Sequence, residues 1–252
     1  MAALDDIANY CNRLLNIADV KDYCPNGVQV QGSPSIRRMV SGVTASDALI
    51  RRAIELDADA LLVHHGYFWR GESAAITGMK YQRLKQLLAH DIALLAYHLP
   101  LDIHREYGNN VGLGRALELE AMESIEAGGT RDLFWRGRLN SAETTQAFSA
   151  RVKSATGRDP LLVGPADKLI EQVGWCTGGA QQFIDLAADL SLDAFISGEI
   201  SEQTTHIARE RGIVYVAAGH HATERFGVQS LGTHLAEHFG LGHDFVDIEN
   251  PA

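Results

Sequence analysis

The chain has 252 residues, 46% hydrophobic and 21% charged, with a formal net charge of −10. This is the composition of a globular protein long enough to bury a large core without disulfides or structural metals. The acidic balance argues against a nucleic-acid scaffold or a membrane-surface binder, because both need a basic face.

The opening stretch, MAALDDIANYCNRLLNIAD, is amphipathic and acidic and lacks the basic start and apolar run of a signal peptide. Leu4, Ile7, Ala8, Cys11, Leu14 and Leu15 recur at helical spacing, which predicts a helix over 4–17. CPNGVQVQG reads as a turn entering a short strand, RRMVSGVTA as a strand, and SDALIRRAIELD as a helix with Ser46 as its N-cap. ADALLVHH is a second strand, AAITGMKYQRLKQLLAHD is mostly helix, and IALLAYHLPLD is a third strand. From about 121 to 172 the pattern weakens. EAMESIEAGGTRDLFWRGRLN predicts strands with turns, SAETTQAFSARVKSATG a helix with Ser141 as cap and Thr144 near N3, and PLLVG a short strand. Cys11, Cys24 and Cys176 are an odd number at wide spacing with no CxxC, the usage expected of small buried thiols in a reduced, cytoplasmic protein. No apolar run reaches the length of a membrane span.

The first pattern then returns. MVSGVTASDALIRRAIELDADALLVHHG lies over QVGWCTGGAQQFIDLAADLSLDAFISGEI. Val40 and Thr44 fall on Val173 and Thr177. After a one-residue insertion, Asp59 and Ala60 fall on Asp193 and Ala194, and His64 and His65 on Gly198 and Glu199. The expected fold is α/β: two similar lobes from an internal duplication, 1–125 and 126–252, with mostly parallel strands and a metal site between the lobes. Ligands in such folds sit at the carboxyl ends of the strands.

Those ends carry the polar residues. His64 and His65 follow one strand, and His98 and Asp102 another. GHHATE supplies His220, His221 and Glu224, and Glu199 stands alone. Imidazole and carboxylate donors suit divalent zinc, iron or manganese, and a carboxylate can bridge two ions. Adjacent residues on a strand diverge, so the His pair is expected just past a strand ending at Val63. A helical turn at 220–224 would put His220 and Glu224 on one face and turn His221 elsewhere, while Pro100 is expected to block a regular helix across His98–Asp102. His98 is expected to be a weaker ligand or a group that orients one, and His221 to support a ligand or meet the substrate; His98, His221 and Glu199 are the candidates for moving protons. Phe68, Trp69 and Arg70 are expected to pack as a lid or to hold an anionic or stacking substrate. No GxSxG, P-loop or dinucleotide fingerprint occurs.

HHGYFWRGE, HLPLD, GNN, SGEISEQ and AGHHATE together, over nearly the whole chain, resemble the Nif-three-like dinuclear-metal family. Its bacterial members are labelled homologues of a type-two GTP cyclohydrolase I. The resemblance implies a two-lobed α/β subunit in a hexameric ring. It also implies two divalent ions per subunit, held by His64, His65, Asp102, His220 and a bridging Glu224. Many members insert a third domain, for which 121–172 leaves no room. Many also have proline and tyrosine where this chain has Gly66 and His221. The expected activity is metal-dependent hydrolysis of a purine nucleotide or related heterocycle; the alternative is a metal-binding oligomer without turnover, a metal chaperone or regulatory partner.

Overall fold

The computed structural model describes every residue from Met1 to Ala252. The first half runs β1 (Ala2–Ala3), α1 (Leu4–Leu14), β2 (Gly27–Val30), β3 (Ser35–Ile36), β4 (Arg38–Thr44), α2 (Asp47–Glu55), β5 (Ala60–His65), α3 (Gly78–Ala89), β6 (Ala93–Ala96), α4 (Leu99–Asp102) and α5 (Asn109–Ala116). The hairpin β7 (Glu120–Ala127) and β8 (Thr130–Thr144) leads to α6 (Thr145–Thr156), β9 (Leu161–Val163), β10 (Leu169–Trp175), α7 (Ile184–Asp189), β11 (Ala194–Ser197), α8 (Glu202–Arg211) and β12 (Val214–Ala217). Last come α9 (His220–Thr223), α10 (Arg225–Phe239) and β13 (Gly242–Phe245). No helix is long and apolar enough to cross a membrane.

Two compact units emerge: Met1–Leu101 with Gly227–Glu249, and Asp102–Phe226 with Asn250–Ala252. This differs from a break after residue 125. The strand β13 returns to the first unit and pairs in parallel with β4, a long-range pairing that no local signal announces.

In the first unit the main sheet has the order β13-β4-β5-β6-β2, parallel except for β2, which is antiparallel to β6. Its central strands β4, β5 and β6 are buried on both faces. Met39, Val43, Leu62 and Leu95 pack with Ile7 and Cys11 of α1 and with Leu231 and Leu235 of α10. Val40, Leu61, Val63 and Leu94 alternate with them and pack with Leu49 and Ile50 of α2 and Leu84 and Leu87 of α3. Each such side chain stabilises the fold by about 1.5–3 kcal/mol. In the second unit the order is β7-β8-β10-β11-β12-β9, parallel only across β10-β11-β12. Phe195 and Tyr215 face one core, and Val173, Ile196 and Val216 the other.

The two parallel cores share one fastening. Asp59 Oδ2 accepts the amides of Arg37 and Arg38 at 2.7 and 3.0 Å, and Asp193 Oδ2 accepts those of Glu171 and Gln172 at 3.0 and 2.9 Å. Each carboxylate lies between the first helix and the second strand of the same order, β4-α2-β5-α3-β6 and β10-α7-β11-α8-β12, with Tyr97 N on Val63 O (3.0 Å) and Ala218 N on Ser197 O (2.8 Å).

Ser46 caps α2, its hydroxyl accepting from Leu49 N at 3.2 Å. Four local expectations are corrected. The first helix stops at Leu14, because Asn16 takes a left-handed conformation (φ 48°). The cap of α6 is Thr144, accepting from Ala147 N at 3.2 Å, while Ser141 is still in β8. The strand holds because cross-strand pairing with β10 continues to Thr144. Residues 99–102 form a helical turn that includes Pro100. Proline is tolerated there because a first-turn position has no amide to satisfy. Finally, β5 runs through His65: its pairing with β6 ends at Val63, but its pairing with β4 extends to Thr44–His65.

Candidate metal centre

In the first unit the His pair does not splay as an isolated strand would. The ring centroids of His64 and His65 lie 4.6 Å apart, and His98 sits 5.0 Å from the first and 5.7 Å from the second. One ligand nitrogen from each of the three lies within 4.8 Å of the others. His64 is fully buried. Its Nδ1 meets the Tyr97 carbonyl at 3.0 Å. A carbonyl only accepts, so Nδ1 carries the proton and Nε2 presents its lone pair. His65 Nδ1 meets Thr44 Oγ1 at 3.3 Å. Trp69 stands edge-on to His98 with centroids 4.9 Å apart, and 5.9 Å from His65, forming one wall. Phe68 is exposed, with Lys80 Nζ 4.6 Å from its ring centroid, and Arg70 packs over Tyr23 at 5.7 Å.

His98 is held by residues that carry no recognisable motif. Asp22 Oδ1 accepts from His98 Nδ1 (2.7 Å) and Tyr23 N (2.6 Å), and Oδ2 from Asn26 Nδ2 (2.8 Å) and Leu99 N (3.0 Å). Asn26 Oδ1 in turn accepts His98 N at 2.7 Å. Burial pushes the Asp22 carboxyl up, but the His98 bond and charge, with Asn26 and Tyr23, outweigh it and leave it below the usual carboxylate range. Asp22, Cys24 and His98 also bring donor atoms within 4.8 Å of one another.

In the second unit Asp102 and Glu224 are buried carboxylates. Asn109 Nδ2 donates to Asp102 Oδ1 at 2.8 Å. Asn110 joins the Asp102 carbonyl (3.2 Å) to the Thr177 amide (2.9 Å). The turn of α9 is helical, and His220 Nε2 lies 3.1 Å from Glu224 Oε2 at i, i+4. His220 Nδ1 meets Glu199 Oε1 at 2.7 Å. Burial pushes the His220 imidazole down, but the bonds and charges of Glu224 and then Glu199 prevail and raise it to about 9. His221 follows on the same turn, half-buried, with its amide on the Ala252 carbonyl (3.2 Å). Burial first, then the charges of Asp102 and Glu224, pushes the Cys176 thiol well up, so this thiol stays protonated.

The backbone is shaped around these groups. Gly178 has φ +68°, and a Cβ there would fall on Glu224 Oε1 and lie 3.2 Å from His220 Nε2. Gly198, at the position matching His64, has its Cβ direction blocked by the His220 backbone and the Gly178 carbonyl. No side chain fits where the first unit places a histidine.

The donor set fits divalent metal. It offers imidazoles whose Nδ1 is oriented by a carbonyl, hydroxyl or carboxylate, with buried carboxylates of the kind that are retained beside cations. Asp22, Asn26, Thr44, Asn109 and Gly178 escape sequence reasoning. Asn109 lies in GNN, and Thr44 and Gly178 in the two repeated segments, but nothing in those stretches marks them as supports of a site.

A model of the Duf34/NIF3 family (NGG1p interacting factor 3) matches residues 2–251. A Pseudomonas aeruginosa protein named GTP cyclohydrolase 1 type 2 homolog is 53% identical over 250 residues, covering 99% of both chains. The solved structure of protein ybgI, described as of unknown function, has a TM-score of 0.94 at 47% identity and covers 100% of both chains. That of TTHA1606 from Thermus thermophilus has a TM-score of 0.89 at 34% identity, again over 100% of both chains. The chain belongs to the Duf34/NIF3 family.

Proposed function

We propose that the protein is a divalent-metal-dependent hydrolase with a dinuclear centre, acting on a purine nucleotide or related heterocycle. By the family resemblance, His64, His65, Asp102, His220 and Glu224 would hold the two ions. The observation that carries this reading is the orientation of the imidazoles. Nδ1 of His64 is oriented by a backbone carbonyl, and Nδ1 of His220 by Glu199 while its Nε2 faces Glu224, which turns the Nε2 side of each ring toward the proposed ligand position. When bound, the ions supply Lewis acidity and water acidified toward neutral pH. Glu224 and Asp102 offset the cationic charge, and Glu199 keeps the His220 ring in its ligating tautomer. His98 and His221 receive or return protons. Trp69, against His65 and His98, offers a flat face to a heterocycle. The names of the curated relatives support a cyclohydrolase-like reaction. The exposed apolar residues Ile76, Met79 and Leu88 support assembly into a homo-oligomer, by resemblance a hexameric ring.

The test uses protein purified without a histidine tag, analysed for zinc, iron and manganese and then assayed on GTP and a nucleotide panel. Asp102→Ala and Glu224→Ala are expected to lose both metal and turnover. Metal retained in full by wild type and both variants, or equal turnover by all three, sinks the proposal. Metal bound by wild type with no turnover on any nucleotide favours the non-enzymatic metal-binding oligomer.

A further inference from the structure

We infer that Asp22 is a positioning residue. It holds the His98 proton on Nδ1, so that Nε2 is delivered as a lone pair beside His64 and His65. The inference rests on the reading of His98 as a proton acceptor in the proposed centre, and it adds the group that makes His98 competent.

The geometry leaves Asp22 little freedom. Its side chain is 3% exposed and that of His98 is 13% exposed. Its two carboxylate oxygens receive four N–H groups, from Tyr23, Asn26, His98 and Leu99. A carboxylate so surrounded only accepts, so the facing Nδ1 of a neutral His98 must donate. Asn26 fixes the backbone of the same residue by accepting His98 N. The ring is thus set in position and in tautomer, and Trp69 stands edge-on against it. A third-metal reading of the Asp22–Cys24–His98 trio is weaker, because both Asp22 oxygens are already committed to N–H donors.

Asp22→Asn tests this with almost no change in shape. One oxygen position faces Asn26 Nδ2 and Leu99 N, and the other faces His98 Nδ1 and the Tyr23 amide. Asn26 cannot flip without losing its bond to His98 N. The Asn oxygen therefore stays where two fixed donors face it, and its amino group takes the position facing His98 Nδ1, where only the Tyr23 amide is a fixed donor. A donor at that place forces the ring to carry its proton on Nε2, where it can no longer accept one.

The readout is the long-range proton–nitrogen NMR spectrum of metal-free, nitrogen-15-labelled protein at a pH where the His98 ring is neutral. The His98 signals are those lost in His98→Gln. Wild type is expected to show Nδ1–H and Asp22→Asn to show Nε2–H. A wild-type ring protonated on Nε2, which needs no variant to observe, overturns the inference, as does an unchanged tautomer in Asp22→Asn. With zinc restored, Asp22→Asn is expected to keep the wild-type zinc stoichiometry. Its kcat on a responding nucleotide should fall by about 10²–10⁴-fold, with KM little changed. Loss of zinc instead would make His98 a ligand and overturn its assignment as proton acceptor. If wild type turns over no nucleotide, the hydrolase reading fails, while the tautomer measurement still decides the role of Asp22.

Discussion

Replacing Gly178 by alanine adds one methyl group at a place where the structure allows none. Gly178 sits at φ +68°, which costs an alanine about 1–2 kcal/mol. The new Cβ would also fall on Glu224 Oε1 and lie 3.2 Å from His220 Nε2, so the buried Glu224 carboxylate has to move. Displacing a ligand or its support costs about 10–100-fold in metal affinity, or about 1.4–2.8 kcal/mol. Gly212→Ala is the matched control: it has φ +66° at the end of α8, with nothing within 4 Å of its Cβ direction. The backbone strain is then common to both variants, and for a chain of this size about 1 kcal/mol lowers Tm by about 2–4 °C. Zinc affinity by competition with a chromophoric chelator, and Tm by calorimetry, separate the two effects. Gly178→Ala should lose affinity and more stability than Gly212→Ala, which should bind zinc as wild type does. Equal affinity and equal Tm in the two variants would refute the steric argument and, with it, the placing of Glu224 among the ligands.

Two further outcomes follow from the fold. Asp59→Ala and Asp193→Ala each leave two strand amides without their carboxylate, and each should lower urea-denaturation stability by about 1–3 kcal/mol; a loss within error in both would mean that water replaces the fastening. His243, which bonds Ser41 Oγ at 2.8 Å, is pushed below its ordinary range by burial, partly offset by Asp244. Its folded form therefore binds a proton less readily than its unfolded form. Its stabilising effect is complete above about pH 6.5 and is lost as pH falls below that value. The stability gap between wild type and His243→Gln should shrink on acidification, and a gap independent of pH contradicts the shift.

What could be seen in the sequence was local or periodic. Ser46 announces α2 because a cap and its helix are contiguous, and Asp59 and Asp193 fall in register because each precedes a buried strand. Ser141 and Thr144 are both good caps, and only pairing with β10 decides how far β8 extends and so which of them caps α6. Pro100 misled because its cost depends on its place in the turn. Asp22 lies 76 residues from His98 and belongs to no motif, so only the folded chain reveals the pair. Gly178 is one glycine among 24. Its significance comes from Glu224, reached through the packing of α9.

The paired fastenings at Asp59 and Asp193 also bear on how such a chain can change. Each anchors the amino end of its sheet, far along the strands from the residues proposed to bind metal. Part of the stability is thus secured at the end opposite the residues proposed to bind metal. The first unit has a histidine after Val63, and the second a glycine after Ser197, on equivalent scaffolds. A library randomised at the half-buried His65 and His98, at the carboxyl ends of β5 and β6, should yield more folded proteins than one randomised at the buried His64 or at Gly198, where the backbone of His220 leaves no room for a side chain.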